Sequence, residues 1–97
     1  MEDLKELIEV FAEINSYDEM NKLFRELFTV KEIYDVALRW RLMKDLYRKV
    51  PQREIAHDLG ISLCKITRGS KILKEDTSQC RKIIGTLLNG DEAGTQK

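Results

Sequence analysis

A chain of 97 residues makes one domain, and folding at this size buries roughly 65% of the surface that the unfolded chain exposes. Its residues are 42% hydrophobic and 35% charged with a formal net charge of zero, and five glycines and one proline leave little turn chemistry for an all-β fold. No apolar run approaches the roughly 18 residues that cross a bilayer, and the acidic start MEDLKELIEV is unlike a signal peptide, so we expect a cytoplasmic protein with no membrane partner.

Two amphipathic helices are predicted at the N-terminus. The first helix should end near NSY. Its apolar residues recur at three- and four-residue spacing and are Leu4, Leu7, Ile8, Phe11 and Ile14. The second stripe follows at once and consists of Met20, Leu23, Phe24, Leu27 and Phe28. Residues 1–30 hold eight acidic and three basic side chains, so this segment carries a net charge of −5.

A third, longer helix is predicted to begin at Thr29. The sequence TVKE has the spacing of a capping box, in which the Thr29 hydroxyl and the Glu32 carboxylate each accept a hydrogen bond from a free backbone N–H group. The apolar periodicity continues to about Arg48, where Pro51 should force Val50 out of helical geometry.

Three shorter helices complete an all-α, six-helix chain that forms a single domain over 1–97. They are expected at about Gln52 to Leu59, Ser62 to Ile72 and Thr77 to Leu88. Thr77 should cap the last helix, Asn89 and Gly90 should end it, and the tail 89–97 is expected to be disordered.

The apolar stripes of the first, third and last helices look too wide for one chain of this length to cover. A second copy of the chain would cover them, which predicts a homodimer. A thin monomeric core is the alternative.

The stretch QREIAHDLGISLCKITRGSK, residues 52–71, predicts a helix-turn-helix over about 52–72. Ala56 provides a small residue where the two helices touch, and Gly60 can adopt the positive φ of the turn. Leu59, Ile61 and Ile66 would hold the second helix on the first. A helix-turn-helix can also serve only as a packing motif.

The charge distribution favours a nucleic-acid partner. Residues 39–74 hold ten bases and three acids, a net charge of +7, although a solvated helix surface would have a similar pattern. Lys65 is placed to reach a guanine edge, Thr67 a phosphate or a thymine methyl, and Leu63 and Cys64 offer apolar contacts. A dimer would present two such helices to half-sites about one helical turn apart. The candidate DNA-binding residues are Gln52, Arg53, Ser62, Leu63, Cys64, Lys65, Thr67 and Lys74.

Neither catalysis nor metal binding is predicted. Cys64 and Cys80 occur in no metal-ligand spacing, and both are interpreted as small hydrophobic residues. The single histidine, His57, has no nucleophile motif beside it. We therefore expect no enzyme and no metal site.

The runs KITRGSKILK, QREIAHDLG and TVKEIYDVALRWRLMKDL resemble the tryptophan repressor family over about residues 24–74. The resemblance implies an intertwined, all-helical homodimer, with a dimer core built from helices at about 3–48 and 77–88. It also implies a transcriptional repressor that binds palindromic, double-stranded operator DNA, with L-tryptophan as co-repressor.

The resemblance also assigns ligand-binding roles. Arg39 and Arg68 would flank the indole ring, and one of them would meet the carboxylate of tryptophan; a guanidinium suits both tasks. From the residues alone, Arg68 would be a phosphate contact and Arg39 a surface charge. The remaining assignments are Thr29 and Phe28 at the pocket edge, Met43 in its apolar wall, Gly69 as space for the ring, and Ile72 where the family has a serine that helps to hold the amino group.

Three departures from the family pattern keep alternatives open. Lys65 stands where the family has a threonine in the reading helix, and Ala56 stands where it has a lysine, which affects the operator sequence. Because Ile72 lacks the serine hydroxyl, the chain is alternatively a helix-turn-helix regulator that needs no ligand or uses another amino acid or indole compound. A third alternative, from a different functional class, is a helical interaction module whose basic face binds an acidic protein.

Overall fold

The computed structural model describes the backbone of residues 1–96 and the side chains of residues 1–89. This part of the chain forms six α-helices and no strand, which confirms the all-α prediction. The helices are α1 (Glu2–Glu13), α2 (Tyr17–Leu27), α3 (Val30–Tyr47), α4 (Gln52–Leu59), α5 (Leu63–Lys74) and α6 (Gln79–Gln96). No helix in the described range is long and apolar enough to cross a membrane.

The chain divides into two compact units, Met1–Val36 and the residues from Ala37 onward. In the first unit, Ser16 caps α2 by accepting a hydrogen bond from the Glu19 N–H at 3.3 Å. The ring of Phe24 lies 5.8 Å from that of Phe11 and 4.8 Å from that of Phe28, measured between ring centroids. No residue of α1 or α2 is buried.

The capping box predicted at the start of α3 is confirmed. The Thr29 N–H donates to Glu32 Oε1 at 2.9 Å, and the Glu32 N–H donates to Thr29 Oγ1 at 3.1 Å. Two backbone donors at the helix start are thereby satisfied by side chains, so α3 begins at Val30 with Thr29 as its cap.

The end of α3 is a Schellman motif with an unusual residue in it. The Val50 N–H donates to the Asp45 carbonyl at 3.0 Å, and the Lys49 N–H donates to the Leu46 carbonyl at 3.1 Å. Lys49 lies between them at a φ of 69°, in the left-handed region that glycine usually occupies. Val50 is outside the helix, as the following Pro51 predicted.

α4, the turn and α5 form what we call the two-helix unit, residues 52–74. Gly60 ends α4 in the left-handed conformation, with φ 64° and ψ 35°, and Ser62 caps α5 by accepting a hydrogen bond from the Lys65 N–H at 3.3 Å. Ile55 and Ile66 are fully buried and pack with Leu42 of α3. The apolar contacts predicted for this stretch are therefore formed.

A second core cluster joins the C-terminal half of α3 to α5 and α6. It consists of Met43, Leu73 and Ile84, with partly buried Ile72 and Tyr47 among the residues packed against it. Together the two clusters hold the two-helix unit against the end of α3.

Three predicted helix boundaries need correction. α6 is capped by Ser78, whose hydroxyl accepts a hydrogen bond from the Arg81 N–H at 3.1 Å, and Thr77 is an exposed residue before it. α6 also continues to Gln96, beyond the end predicted at Leu88, because Asn89 and Gly90 keep helical geometry where a glycine stop needs a positive φ. α5 likewise extends two residues past Ile72, to Lys74. Of the tail predicted to be disordered, Lys97 lies outside the described residues.

Candidate functional site

All eight candidate DNA-binding residues are exposed on the two-helix unit. On α5, Ile66, Gly69 and Leu73 are buried and define the inner side of the helix. Helical periodicity places Cys64, Thr67, Arg68 and Lys71 on the opposite side, and all four are exposed. Lys71 was not among the predicted residues, although its spacing from Cys64 and Thr67 in the sequence carried that signal.

The exposed side of α5 is uniformly positive. Four basic residues and no acidic residue lie between Leu63 and Lys74. Within residues 1–89, none of the four basic side chains makes a hydrogen bond or an ion pair; they are Lys65, Arg68, Lys71 and Lys74. Their charges are therefore available to an anionic partner.

The start of α5 combines a cap with an exposed apolar side chain. Because the Ser62 hydroxyl accepts from the Lys65 N–H, it is held at the helix N-terminus. Leu63 follows with 58% of its surface exposed. On α4, Gln52 and Arg53 are exposed in the first turn.

Five of the predicted ligand-binding residues lie on α3 and α5, where these helices approach each other. A Cβ atom built at Gly69 would lie 3.1 Å from both Met43 Sδ and Leu46 Cδ1, so a larger residue at this position would require these two side chains to shift by a few tenths of an ångström. Met43 is buried, and Ile72 is partly buried against the Met43 cluster. In this structure the neighbouring side chains fill the space beside Gly69, and its role as space for a ring stays a prediction.

The two arginines of the predicted ligand set belong to these same helices. Arg39 lies one helical turn before Met43 on α3, and Arg68 directly precedes Gly69 on α5. Both are exposed, and within the described side chains neither guanidinium has an acidic partner or a hydrogen bond. Arg39 thus lies one turn from the contact between α3 and α5, whereas Arg68 lies on the exposed side of α5.

The other two predicted ligand residues, Phe28 and Thr29, belong to the first unit. There the Thr29 hydroxyl accepts the Glu32 N–H, and the Phe28 ring is tilted against Phe24. Their observed contacts are those of a helix cap and of an aromatic cluster.

Two clefts occur at places that the sequence did not indicate. An open cleft of about 750 Å³ lies where α3 faces the start of α6, with Tyr47, Arg81 and Gly85 in its lining. A smaller one of about 140 Å³ lies in the first unit beside Phe24. Neither is lined by Arg39 or Arg68. No motif in the sequence indicates either cleft, because each depends on how helices pack.

A buried carboxylate lies just before the two-helix unit. Asp45 has 6% of its surface exposed and accepts hydrogen bonds from Arg41 Nε at 3.1 and 3.2 Å, while Arg48 Nη1 lies 3.8 Å away. The i, i+4 and i, i+3 spacings are visible in the sequence, but the burial of Asp45 is not. A buried carboxylate is stable only when paired in this way. Among the described residues, no group of three or more potential metal ligands is found.

Comparison with known proteins places the chain beside one group of regulators. The model of the family described as "Trp repressor protein" matches residues 2–88. A Trp operon repressor homolog of Xylella fastidiosa (strain M23) is 34% identical over 71 residues, which cover 72% of this chain and 77% of that protein. A Trp operon repressor homolog of Chlamydia trachomatis serovar L2 is 32% identical over 81 residues, which cover 78% of this chain and 86% of that protein. A third, of Chlamydia caviae, is 28% identical over 83 residues, 84% of this chain and 82% of the relative. No solved structure matches the chain.

Proposed function

This chain belongs to the Trp repressor family, and we propose that it represses transcription by binding operator DNA as a homodimer when L-tryptophan is bound. The family is regulatory rather than enzymatic, and membership supports the repressor role. The following observations support three further parts of the proposal, which are binding of duplex DNA, the dimeric state and dependence on tryptophan.

The surface of α5 is the observation that carries the proposal. In a helix-turn-helix protein the second helix enters the major groove and presents its exposed side chains to the bases. α5 exposes Cys64, Thr67 and four cations that have no partner among the side chains of residues 1–89, while Ile66 fixes it to α4. A surface with this charge is matched to the phosphates of duplex DNA.

The exposed apolar residues support the homodimer. α1 and α2 contain no buried residue, and Leu4 and Ile8 keep 53% and 57% of their surfaces exposed. On α6, Ile83 and Leu87 are also exposed, at 47% and 44%. A second copy that intertwines with the first would cover such surfaces, since homodimer interfaces resemble a divided core.

The two free guanidinium groups support the co-repressor site. A guanidinium stacks on an aromatic ring with its flat face and binds a carboxylate with its paired N–H donors. Arg39 and Arg68 offer both functions from the two helices that meet at Met43 and Gly69. Tryptophan would then bind more tightly to one orientation of α5 against α3 than to others. If that orientation is the one that binds DNA, this difference in affinity shifts the protein toward it.

Isothermal titration of L-tryptophan into the full chain tests the ligand site. We expect saturable binding at one ligand per chain. Arg68→Leu should abolish this binding while the helical circular dichroism signal stays unchanged. Arg53→Leu is the matched control, because it removes another exposed arginine that is outside the ligand set. Equal binding by wild type and Arg68→Leu would rule out the assignment of Arg68.

A second candidate function is favoured by Ile72. Its side chain packs against the Met43 cluster and provides no hydroxyl for the amino group of an amino acid. A helix-turn-helix regulator that needs no ligand, or that binds a different amino acid or an indole compound, fits this residue. It predicts that a selected DNA duplex binds with the same affinity in the presence and absence of L-tryptophan.

A further inference from the structure

We propose that α5 contacts the phosphates of both DNA strands, with Lys65 on one strand and Lys74 on the other, so that bases are read only by the residues between them. This inference rests on the proposed function. It changes the role expected for Lys65 from reading a guanine edge to neutralising a phosphate.

Helix geometry places the two lysines at opposite edges of the exposed face. Each residue of an α-helix advances by about 100° and 1.5 Å, so every third residue shifts by about 60° around the axis. The basic residues at 65, 68, 71 and 74 follow this interval and together turn through about half a circle over about 13.5 Å. Because Ile66 and Leu73 mark the inner side, Lys65 and Lys74 flank the exposed half.

The dimensions of DNA match this arrangement. The major groove is about 12 Å wide and is bounded on each side by the phosphates of one strand. An α-helix with its side chains is about 10–12 Å across, so its middle faces the bases and its edges face the two backbones. Cys64, Arg68 and Lys71 lie near the middle of the exposed face, Thr67 lies toward the edge with Lys74, and Lys65 lies at the opposite edge.

The side chains themselves favour phosphate as the partner. A lysine ammonium is a flexible point charge, suited to neutralising a phosphate, whereas the fork of arginine suits a defined pair of acceptors. Neither Lys65 nor Lys74 has an acidic partner among the described side chains, so binding DNA breaks no ion pair.

The experiment uses the full chain with saturating L-tryptophan and a duplex that the wild-type protein selects from a random-sequence library. The dissociation constant is measured against salt between about 50 and 200 mM, where each neutralised phosphate contributes about 0.9 to the log–log slope. Because the dimer carries each lysine twice, we expect Lys65→Ala and Lys74→Ala each to lower the slope by about 1.8, and the double variant by about 3.6. Lys22→Ala, an exposed lysine of α2, should leave the slope unchanged.

Two further measurements identify the contacts. In duplexes that carry every single base-pair substitution, both lysine variants should keep the wild-type base preference. When one phosphate of a half-site is replaced by a neutral methylphosphonate, Lys65→Ala should become insensitive to the replacement on one strand of that half-site and Lys74→Ala on the other strand.

Three results overturn the inference while leaving the proposed function intact. They are an unchanged slope in either variant, a response of both lysines to the same strand of one half-site, and a relaxed base preference in Lys65→Ala. If the wild-type protein enriches no sequence and binds no duplex, the proposed function fails first and the phosphate contacts fail with it.

Discussion

The hydroxyl oxygen of Tyr47 on α3 lies so close to Gly85 on α6 that a Cβ atom built at position 85 would be only 3.0 Å from it. The Asn89 Nδ2 atom lies 3.5 Å from the same oxygen. The closeness of the tyrosine hydroxyl to α6 thus depends on a glycine in a helix interior, where glycine is otherwise unfavourable.

The effect of Gly85→Ala on the free energy of unfolding should therefore depend on the residue at position 47. In a Tyr47→Phe background, alanine meets no hydroxyl and should raise the free energy of unfolding by up to about 1 kcal/mol through its helix propensity. With Tyr47 present, the clash should remove that gain, giving a coupling energy of at least about 0.5 kcal/mol. Urea unfolding of the four proteins at one protein concentration measures this energy, and additive effects would contradict the contact.

Lys49→Gly should stabilise the protein. Lys49 has a φ of 69°, which costs an L-residue about 1–2 kcal/mol, and glycine recovers most of this despite its greater freedom in the unfolded chain. We expect a gain of about 0.5–1 kcal/mol in the free energy of unfolding. Lys49→Ala removes the same charge without relieving the backbone and should bring no gain. A gain of equal size in both variants would assign the effect to charge.

Thr29→Ala should destabilise the start of α3 by about 1 kcal/mol, because the Glu32 N–H loses its side-chain acceptor. Thr29→Ser keeps the hydroxyl and should stay close to wild type. Thermal or urea unfolding monitored by circular dichroism at fixed protein concentration provides the comparison. If serine and alanine destabilise equally, the threonine methyl group is the important feature rather than the cap.

Arg39→Lys should weaken L-tryptophan binding at least tenfold, although it keeps the charge. An ammonium has neither the flat face that stacks on indole nor the paired donors that bind a carboxylate. Arg53→Lys is the control at an arginine outside the ligand set. Wild-type affinity in Arg39→Lys, measured by calorimetry, would show that Arg39 contributes only its charge.

Local sequence signals predicted most of the helical structure. The TVKE pattern located the start of α3, and Gly60 located the turn between α4 and α5, because in both places neighbouring residues determine the backbone geometry. Ser78 was missed as the cap of α6 because Thr77 beside it has the same chemistry, and only the register of the helix selects between them.

The candidate site was predictable only in part. Exposure of the α5 residues followed from their periodicity, and Lys71 would have followed from it as well. The burial of Asp45 and the approach of Tyr47 to Gly85 depend on packing between helices, which the spacing of residues in one chain does not specify.

The backbone amide of Val50 is a natural reporter for motion of α4 and α5 relative to α3. It donates to the Asp45 carbonyl of α3, while the Val50 side chain packs on the cluster of Leu42, Ile55 and Ile66. Only Pro51 separates Val50 from α4, so a swing of α4 and α5 that carries Val50 away from α3 breaks this bond and exposes the amide to solvent deuterium. The hydrogen-exchange rate of this amide then measures how often the contact between the end of α3 and α4 opens. A ligand that fixes the orientation of α5 should slow exchange at this single, identifiable amide.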